Sequence, residues 1–236
     1  MNRILATTLI LSLGAAPALA GAVAEFETAY NTAYANYRTA LFATNSGDAT
    51  KSGGALKQLG GTWTELAVQY RANPPPQFED DPLWGQTIEE VTSLLDQAKT
   101  QATAGDLPTA HATLEGIREA LGILHARNNV ETLSDRMNAY HAEMEVILGM
   151  DMTNLDAAAK QSVLEHSAVL AYLAADVLSA PPAELIENPE FGSLSIGLQT
   201  SVDQFVAAAR SGDDAALLSA VGALKVPYSK LFLKFG

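Results

Sequence analysis

The chain of 236 residues contains no cysteine, only four histidines, and 14 basic residues against 27 acidic ones. The absence of cysteine excludes disulfides, thiolate metal sites and thiol catalysis. The shortage of lysine and arginine gives a net charge of −13, which argues against nucleic acid and anionic lipid as partners. Apolar residues make up 48% of the chain, which is ample for a packed core.

Several catalytic motifs are also missing from the sequence. It has no nucleophile elbow, no glycine-rich phosphate loop and no His-Glu-x-x-His zinc motif. Charges interrupt the apolar runs that follow the N-terminal segment, so we predict no membrane span. These absences favour a binding or interaction protein over an enzyme.

The first twenty residues have the pattern of a secretory signal. Arg3 supplies a positive charge, residues 4–13 form a short apolar run, and Ala18-Leu19-Ala20 precedes Gly21 as a small-x-small cleavage site. The apolar run is too short to cross a bilayer. We therefore predict a cleaved signal peptide over residues 1–20 and a soluble mature protein in the bacterial periplasm.

Apolar residues recur at steps of three and four through most of the chain, which predicts amphipathic helices. In one segment the stripe comprises Leu107, Ala110, Leu114, Ile117, Leu121 and Leu124. Asp106 is placed as an N-cap for this helix, with Pro108 in its first turn. The same pattern predicts eight helices, near residues 23–44, 54–72, 84–103, 107–127, 134–149, 157–179, 191–210 and 213–226.

The chain also resembles itself. A shift of 107 residues, without a gap, gives 15 identities in 99 positions between residues 30–128 and 137–235. Many identities are loop or helix-terminal residues: Pro74-Pro75, Gly85 and Gly105-Asp106 meet Pro181-Pro182, Gly192 and Gly212-Asp213. We predict an all-α tandem duplication of an antiparallel four-helix bundle, with repeats over 21–130 and 131–236.

One pentapeptide suggests a family with this architecture. In Leu121-Gly122-Ile123-Leu124-His125, the histidine stands near the end of the fourth helix. The predicted bundle resembles periplasmic proteins of the cytochrome c-prime type, which carry Cys-x-x-Cys-His at this place. Both cysteines are absent here, so covalent haem attachment is excluded and the resemblance implies a fold only.

Every methionine except the initiator lies between residues 136 and 152. They are Met137, Met144, Met150 and Met152, with His141 among them. Spacing on the predicted fifth helix places Met137, His141 and Met144 on one face. At the offset of 107 the first repeat has tyrosine at all three positions, namely Tyr30, Tyr34 and Tyr37.

Two interpretations of this window are open. Methionine is an adaptable packing residue, so the stripe is explained by a core. Thioether and imidazole are also ligands for copper, thioether above all for Cu(I), and no thiolate is available here. The second interpretation predicts copper storage, transfer or sensing through Met137, His141 and Met144. Auxiliary candidate ligands are His125, Glu145, Met150 and Met152.

The fourth helix carries a polar flank beside its apolar stripe, formed by His111, Glu115, Arg118 and His125. Mirroring the helix hairpin about residue 130 places His125 level with Met137, and Glu115 level with Glu145. Two histidines, two glutamates and the methionines would then line one seam. For His111 and Arg118 we expect a solvated helix face, since an exposed i,i+4 pair contributes little.

Two other functions compete with copper binding. One is a cofactor-free interaction or scaffold module with a protein partner in the periplasm. The other is non-covalent haem, or another small ligand, held in the bundle with His/Met ligation. The terminal segment VPYSKLFLKFG is apolar and basic, and we expect it to dock on the core; recognition of a partner or of a membrane surface is its alternative.

Overall fold

Helices account for nearly all of the fold. The computed structural model describes residues 16–236, with side chains from residue 21, and this range contains no strand. Its α-helices are α1 (Ala16–Asn45), α2 (Ala49–Tyr70), α3 (Trp84–Thr103), α4 (Leu107–Arg127), α5 (Leu133–Leu148), α6 (Ala157–Ser179), α7 (Pro189–Ser211), α8 (Asp214–Ala223) and α9 (Lys225–Phe235). The predicted all-α class is confirmed. Of the predicted signal peptide, residues 1–15 lie outside the described residues and the last five begin α1.

The helix ends follow from their sequences. Asp106 caps α4 by accepting a hydrogen bond from the Thr109 amide, as predicted. Thr132 and Asp135 form a reciprocal capping box at the start of α5. Gly105 and Gly212 have φ of +85° and +73°, a left-handed conformation that a side chain would strain.

Each half of the chain makes its own ring of helix contacts. In the first half α1 packs against α2 and α4, and α3 packs against the same two helices. In the second half α6 packs against α5 and α7, while α8 and α9 contact both α5 and α7. Short 3₁₀ turns at Pro76–Phe78 and Ala183–Leu185 are separated by 107 residues, the offset of the predicted repeat.

The buried side chains of both halves form one continuous core. The first half contributes eight buried aromatic side chains, among them Phe26, Tyr37 and Trp63, and the second contributes five, together with Met137 and Met144. The link between α4 and α5 is only five residues long, from 128 to 132. Contacts between α1 and α9 join the halves on the other side.

The C-terminal segment docks on the core, as expected. Tyr228, Leu231 and Phe232 of α9 are buried. The helix break precedes Leu224, earlier than predicted, and Pro227 lies in the first turn of α9, where its missing N–H leaves no intrahelical bond unmade.

By length and composition alone, the 22 residues Asp214–Phe235 are apolar enough to cross a membrane. One third of the apolar window in this segment is buried inside the protein. Core helices of soluble proteins have the same composition, so the absence of a membrane span stays a prediction.

Candidate functional site

A cavity of about 340 Å³ lies where the two halves meet, between α1, α4, α5 and α9. Two of the four histidines of the chain line this cavity, together with glutamate, arginine and lysine side chains. Its polar lining comprises Arg38, Asn45, His111, Glu115, Arg118, His141, Glu145, Lys225, Tyr228 and Ser229. Residues distant in sequence thus converge from four helices on one half-enclosed space.

His111 of α4 has a defined orientation. Its Nδ1 lies 3.1 Å from the Leu41 carbonyl oxygen of α1 and 3.3 Å from Thr44 Oγ1. A carbonyl can only accept, so Nδ1 carries the proton and donates it to Leu41. Burial lowers the pKa of His111, an effect that the bond to Leu41 only partly opposes. The ring is therefore neutral near pH 7, with an unprotonated Nε2.

That bare Nε2 faces a carboxylate. It lies 3.5 Å from Glu115 Oε1, one turn along the same helix. Two hydrogen-bond acceptors at this distance repel one another unless a proton or a cation lies between them. The arrangement is typical of a metal-ligating histidine, whose second nitrogen is held by a backbone carbonyl.

His141 of α5 repeats only the pairing with a glutamate. Its Nε2 lies 3.4 Å from Glu145 Oε1, again one turn along the helix. Burial, followed by the charges of Arg118 and Lys225, lowers the pKa of His141 to about 3. The imidazole is thus neutral over the physiological range and offers a lone pair to a metal or a hydrogen-bond donor.

The two carboxylates are held by neighbouring cations. Arg118 forms an ion pair with Glu115, and Lys225 Nζ lies 3.2 Å from Glu145 Oε1. Accordingly, among residues 21–236 no three histidine, aspartate or glutamate side chains are already gathered around a single metal position. The potential ligands line one cavity, but binding a metal would require the carboxylates to leave their cationic partners.

Tyr228 lines the cavity, but its hydroxyl is fully buried. Its side chain is buried, and within the described chain its hydroxyl has no hydrogen-bond partner. The ring stacks on Tyr140 and Phe232, with centroids 5.4 and 5.6 Å away, and lies 5.3 Å from the His141 ring. Burial raises the pKa of Tyr228, so the group stays a phenol that can donate.

The structure separates the predicted ligands into two groups. His141 and Glu145 line the cavity. Met137 and Met144 are 1% and 0% exposed, packed in the core, and neither lines the cavity. Met150, in the turn after α5, and Met152, in the following loop, are partly buried against the core.

His125 also lies outside the cavity. Its Nδ1 donates to Asp135, at 2.9 Å from Oδ2, and its ring lies against Tyr30 and Phe78. The mirrored hairpin holds only near the link, where Asp135, the partner of His125, lies two residues before Met137; further along, α4 packs on α1 and α3, and α5 on α6 and α9. This histidine ties the end of α4 to the start of α5.

The expectation of a solvated face for His111 and Arg118 is wrong. Their side chains are only 26% and 10% exposed, because α1 and α9 cover this flank of α4. The predicted level placement of Glu115 and Glu145 agrees with their shared cavity. The roles of Lys225 and Tyr228 were missed, because only the packing of α9 brings them here.

Two other spaces fit a site less well. A larger open groove between α2 and α3, about 1000 Å³, has an apolar floor formed by Trp63, Ala67 and Ile88, but no histidine lines it. Inside the first half, a space lined by the tyrosines of α1 measures about 10 Å³, far less than a porphyrin needs.

No protein-family model, curated protein or solved structure matches this chain.

Proposed function

We propose that this chain is an exported, periplasmic metal-binding protein, with copper as its first candidate metal. The role is storage, transfer or sensing rather than turnover. The ligands are His111, Glu115, His141 and Glu145, so the site keeps two of the predicted residues and replaces the thioethers. Fusion of two duplicated four-helix bundles, after a cleaved signal peptide, belongs to the same proposal.

The orientation of His111 is the observation that carries the proposal. The Leu41 carbonyl accepts a hydrogen bond from the single ring N–H, which leaves the unprotonated Nε2 directed at the Glu115 carboxylate. A cation placed between the two would turn a repulsive contact into two bonds. His141 and Glu145 offer the same pair of donors from the neighbouring helix.

The imidazole and carboxylate ligands of the proposed site favour Cu(II) over Cu(I). Imidazole and carboxylate suit divalent metals, and Cu(II) binds such sites most tightly among the first-row divalent ions. Thioethers would favour Cu(I), but both core methionines are sealed among apolar side chains. The predicted identity of the metal is kept, while its expected oxidation state changes.

A cofactor-free interaction module is the second candidate. The observation that favours it is the pairing of both cavity glutamates with Arg118 and Lys225, which satisfies the carboxylates without a metal. In that case Met137 and Met144 serve only as packing residues, and the exported chain functions by binding a protein partner in the periplasm.

The test is a competition titration of the purified mature chain with Cu(II) against a chelator, after its metal content has been measured. The double variant His111→Phe/His141→Phe should bind at least about 100-fold more weakly, since it removes both imidazole ligands. His166→Gln is the matched control, because His166 pairs with Glu143 outside the cavity, at 2.6 Å.

A second pair of substitutions separates this site from the methionine site. Met137→Leu/Met144→Leu conserves core volume and should leave Cu(II) affinity unchanged. Loss of affinity in this variant would return the site to the thioethers. Equal binding by the wild type and the double histidine variant would refute the cavity site and favour the interaction module.

A further inference from the structure

The open groove between α2 and α3, about 1000 Å³ in volume, is larger than the cavity between the halves. Trp63, Ala67 and Ile88 form its apolar floor, and the side chain of Val68 on its rim is 81% exposed. The Trp63 indole of α2 donates a hydrogen bond of 2.9 Å to Thr92 Oγ1 of α3, which ties the two helices together. The groove therefore has a fixed apolar floor and an apolar rim open to solvent.

The length of the groove matches a single lipid chain. Its α3 wall extends from Glu89 to Gln101, which is about 18 Å at a rise of about 1.5 Å per residue. One acyl chain spans half of a hydrocarbon core of about 30 Å, or about 15 Å. One extended acyl chain can therefore lie along the whole groove.

Charges of both signs lie at one end of the groove. Arg71, directly after α2, forms an ion pair with Glu89 of α3, and both side chains are more than half exposed. Such an exposed pair contributes little to stability, so a ligand that brings both charges can replace it at small cost. Guanidinium binds phosphate well, and a carboxylate pairs with an ammonium group. The net charge of −13 disfavours a head group that is only anionic.

We propose that this groove binds a single-chain phospholipid with a zwitterionic head group. The acyl chain lies along Trp63, Ala67 and Val68, while the phosphate contacts Arg71 and the ammonium contacts Glu89. The groove shares no lining residue with the cavity between the halves, so this site does not depend on copper binding.

Lysophosphatidylethanolamine is the probe, in a series of increasing acyl chain length. Each member is titrated into the purified protein by calorimetry, below its critical micelle concentration. Each added methylene should tighten binding by about fourfold, because it removes one more apolar group from water. The increase should stop once the chain is longer than the groove, at about 18 Å. An increase that continues beyond this length would overturn the match between chain and groove.

Val68→Asp tests the location of the acyl chain. It places a carboxylate against the chain and should weaken binding at least about tenfold, since an unpaired charge is costly beside apolar groups. Ala175→Asp is the matched control, because Ala175 is exposed 107 residues later on α6, outside the groove. Its affinity for the lipid should equal that of the wild type.

Arg71→Gln tests the location of the head group. It should weaken binding of the lysophospholipid by about tenfold, the effect of one hydrogen bond to a charged group. The affinity for an alcohol of the same chain length should not change. Equal losses for the two ligands would show that Arg71 only shapes the groove, and would overturn the head-group assignment.

The remaining outcomes decide the occupant. Absence of binding at every chain length overturns the proposal, and equal binding by the wild type and Val68→Asp overturns its location. A lipid-free dimer in sedimentation equilibrium that Val68→Asp dissociates would identify a second copy of the chain as the occupant, against the lipid.

Discussion

The faces of α1 and α5 occupy matching places in the two halves but differ in chemistry. Tyr34 is buried and its hydroxyl accepts a hydrogen bond from Asn138, while His141, 107 residues later, lines the cavity. Arg38 and Glu145 are another such pair, as are Arg118 and Lys225. All four of these charged residues line the cavity, so it is formed by corresponding positions of the two halves. At this pair of positions, 107 residues apart, the side chain of one half packs in the core and that of the other lines the cavity.

The largest expected effect is on stability and tests whether the buried side chains of α1 and α5 contribute equally to core packing. Tyr37 and Met144 are matched core positions, both buried, and the Tyr37 hydroxyl donates to the Leu114 carbonyl. Tyr37→Ala should cost about 3–5 kcal/mol and Met144→Ala about 2–5 kcal/mol of unfolding free energy, through lost burial and the cavity left behind. Urea unfolding measures both; a cost below 1 kcal/mol at either site, roughly that of a surface change, would contradict core packing.

Replacing His141 of α5 by tyrosine, the residue at the matching position of α1, should give the next largest effect, on Cu(II) affinity. His141→Tyr should reduce Cu(II) affinity by about 100-fold or more, because it removes a ligand. The unfolding free energy should change by less than about 1.5 kcal/mol, since the cavity has room for a phenol ring. Tyr34→Phe is the control, and its Cu(II) affinity should equal that of the wild type.

The junction between the halves provides a pH-dependent test. Burial alone would raise the pKa of Asp135, but the hydrogen bonds from His125 and Thr132 outweigh it and hold the pKa below its usual value. A depressed pKa stabilises the fold above the unfolded-state value, roughly 3.9, and this stability is lost as the pH falls through the folded-state pKa.

Asp135→Asn should therefore lower the unfolding free energy at pH 7 by about 1.5–3 kcal/mol, the worth of hydrogen bonds to a charged group. The difference from the wild type should shrink as the pH falls below the usual Asp range, near 4. Asp80→Asn, which changes an exposed loop carboxylate, is the control. A difference that stays constant down to about pH 2 would rule out this linkage.

The smallest expected effect concerns Gly105 and Gly212, the left-handed glycines at matching positions of the two halves. Gly105→Ala and Gly212→Ala meet no neighbouring atom, so only the left-handed backbone opposes them. Each should cost about 1–2 kcal/mol, and the two costs should be equal. Gly122→Ala, in open space on helix α4, should instead stabilise the protein slightly. Unequal costs at the two turns would weaken the duplication hypothesis.

Local sequence patterns predicted most of the helices. Caps and apolar stripes placed α3 and α4 within a residue of their observed ends. The start of α2 was predicted at residue 54, five residues late, whereas Asp48 caps the helix and Gly53-Gly54 lie within it. Cap geometry therefore outweighed glycine propensity at this site.

Long-range packing limited the prediction of the site. The hairpin register brought Glu115 level with Glu145, because both belong to adjacent helices joined by a short link. The cover that α1 and α9 place over His111 depends on contacts between distant parts of the chain, which periodicity does not report. For the same reason the methionine stripe could not be assigned to core or cavity from its spacing alone.

The position of α9 has a consequence for how the protein opens. By chain order it belongs to the second half, yet Arg38 of α1 donates to its carbonyl oxygens at Leu233 and Lys234. Detaching this one helix would remove Lys225 and Tyr228 from the cavity and break the α1–α9 contact between the halves at the same time. Opening of the cavity and loosening of this contact are thus mechanically coupled, so an ion bound as proposed would slow the exchange of the α9 amide protons with solvent.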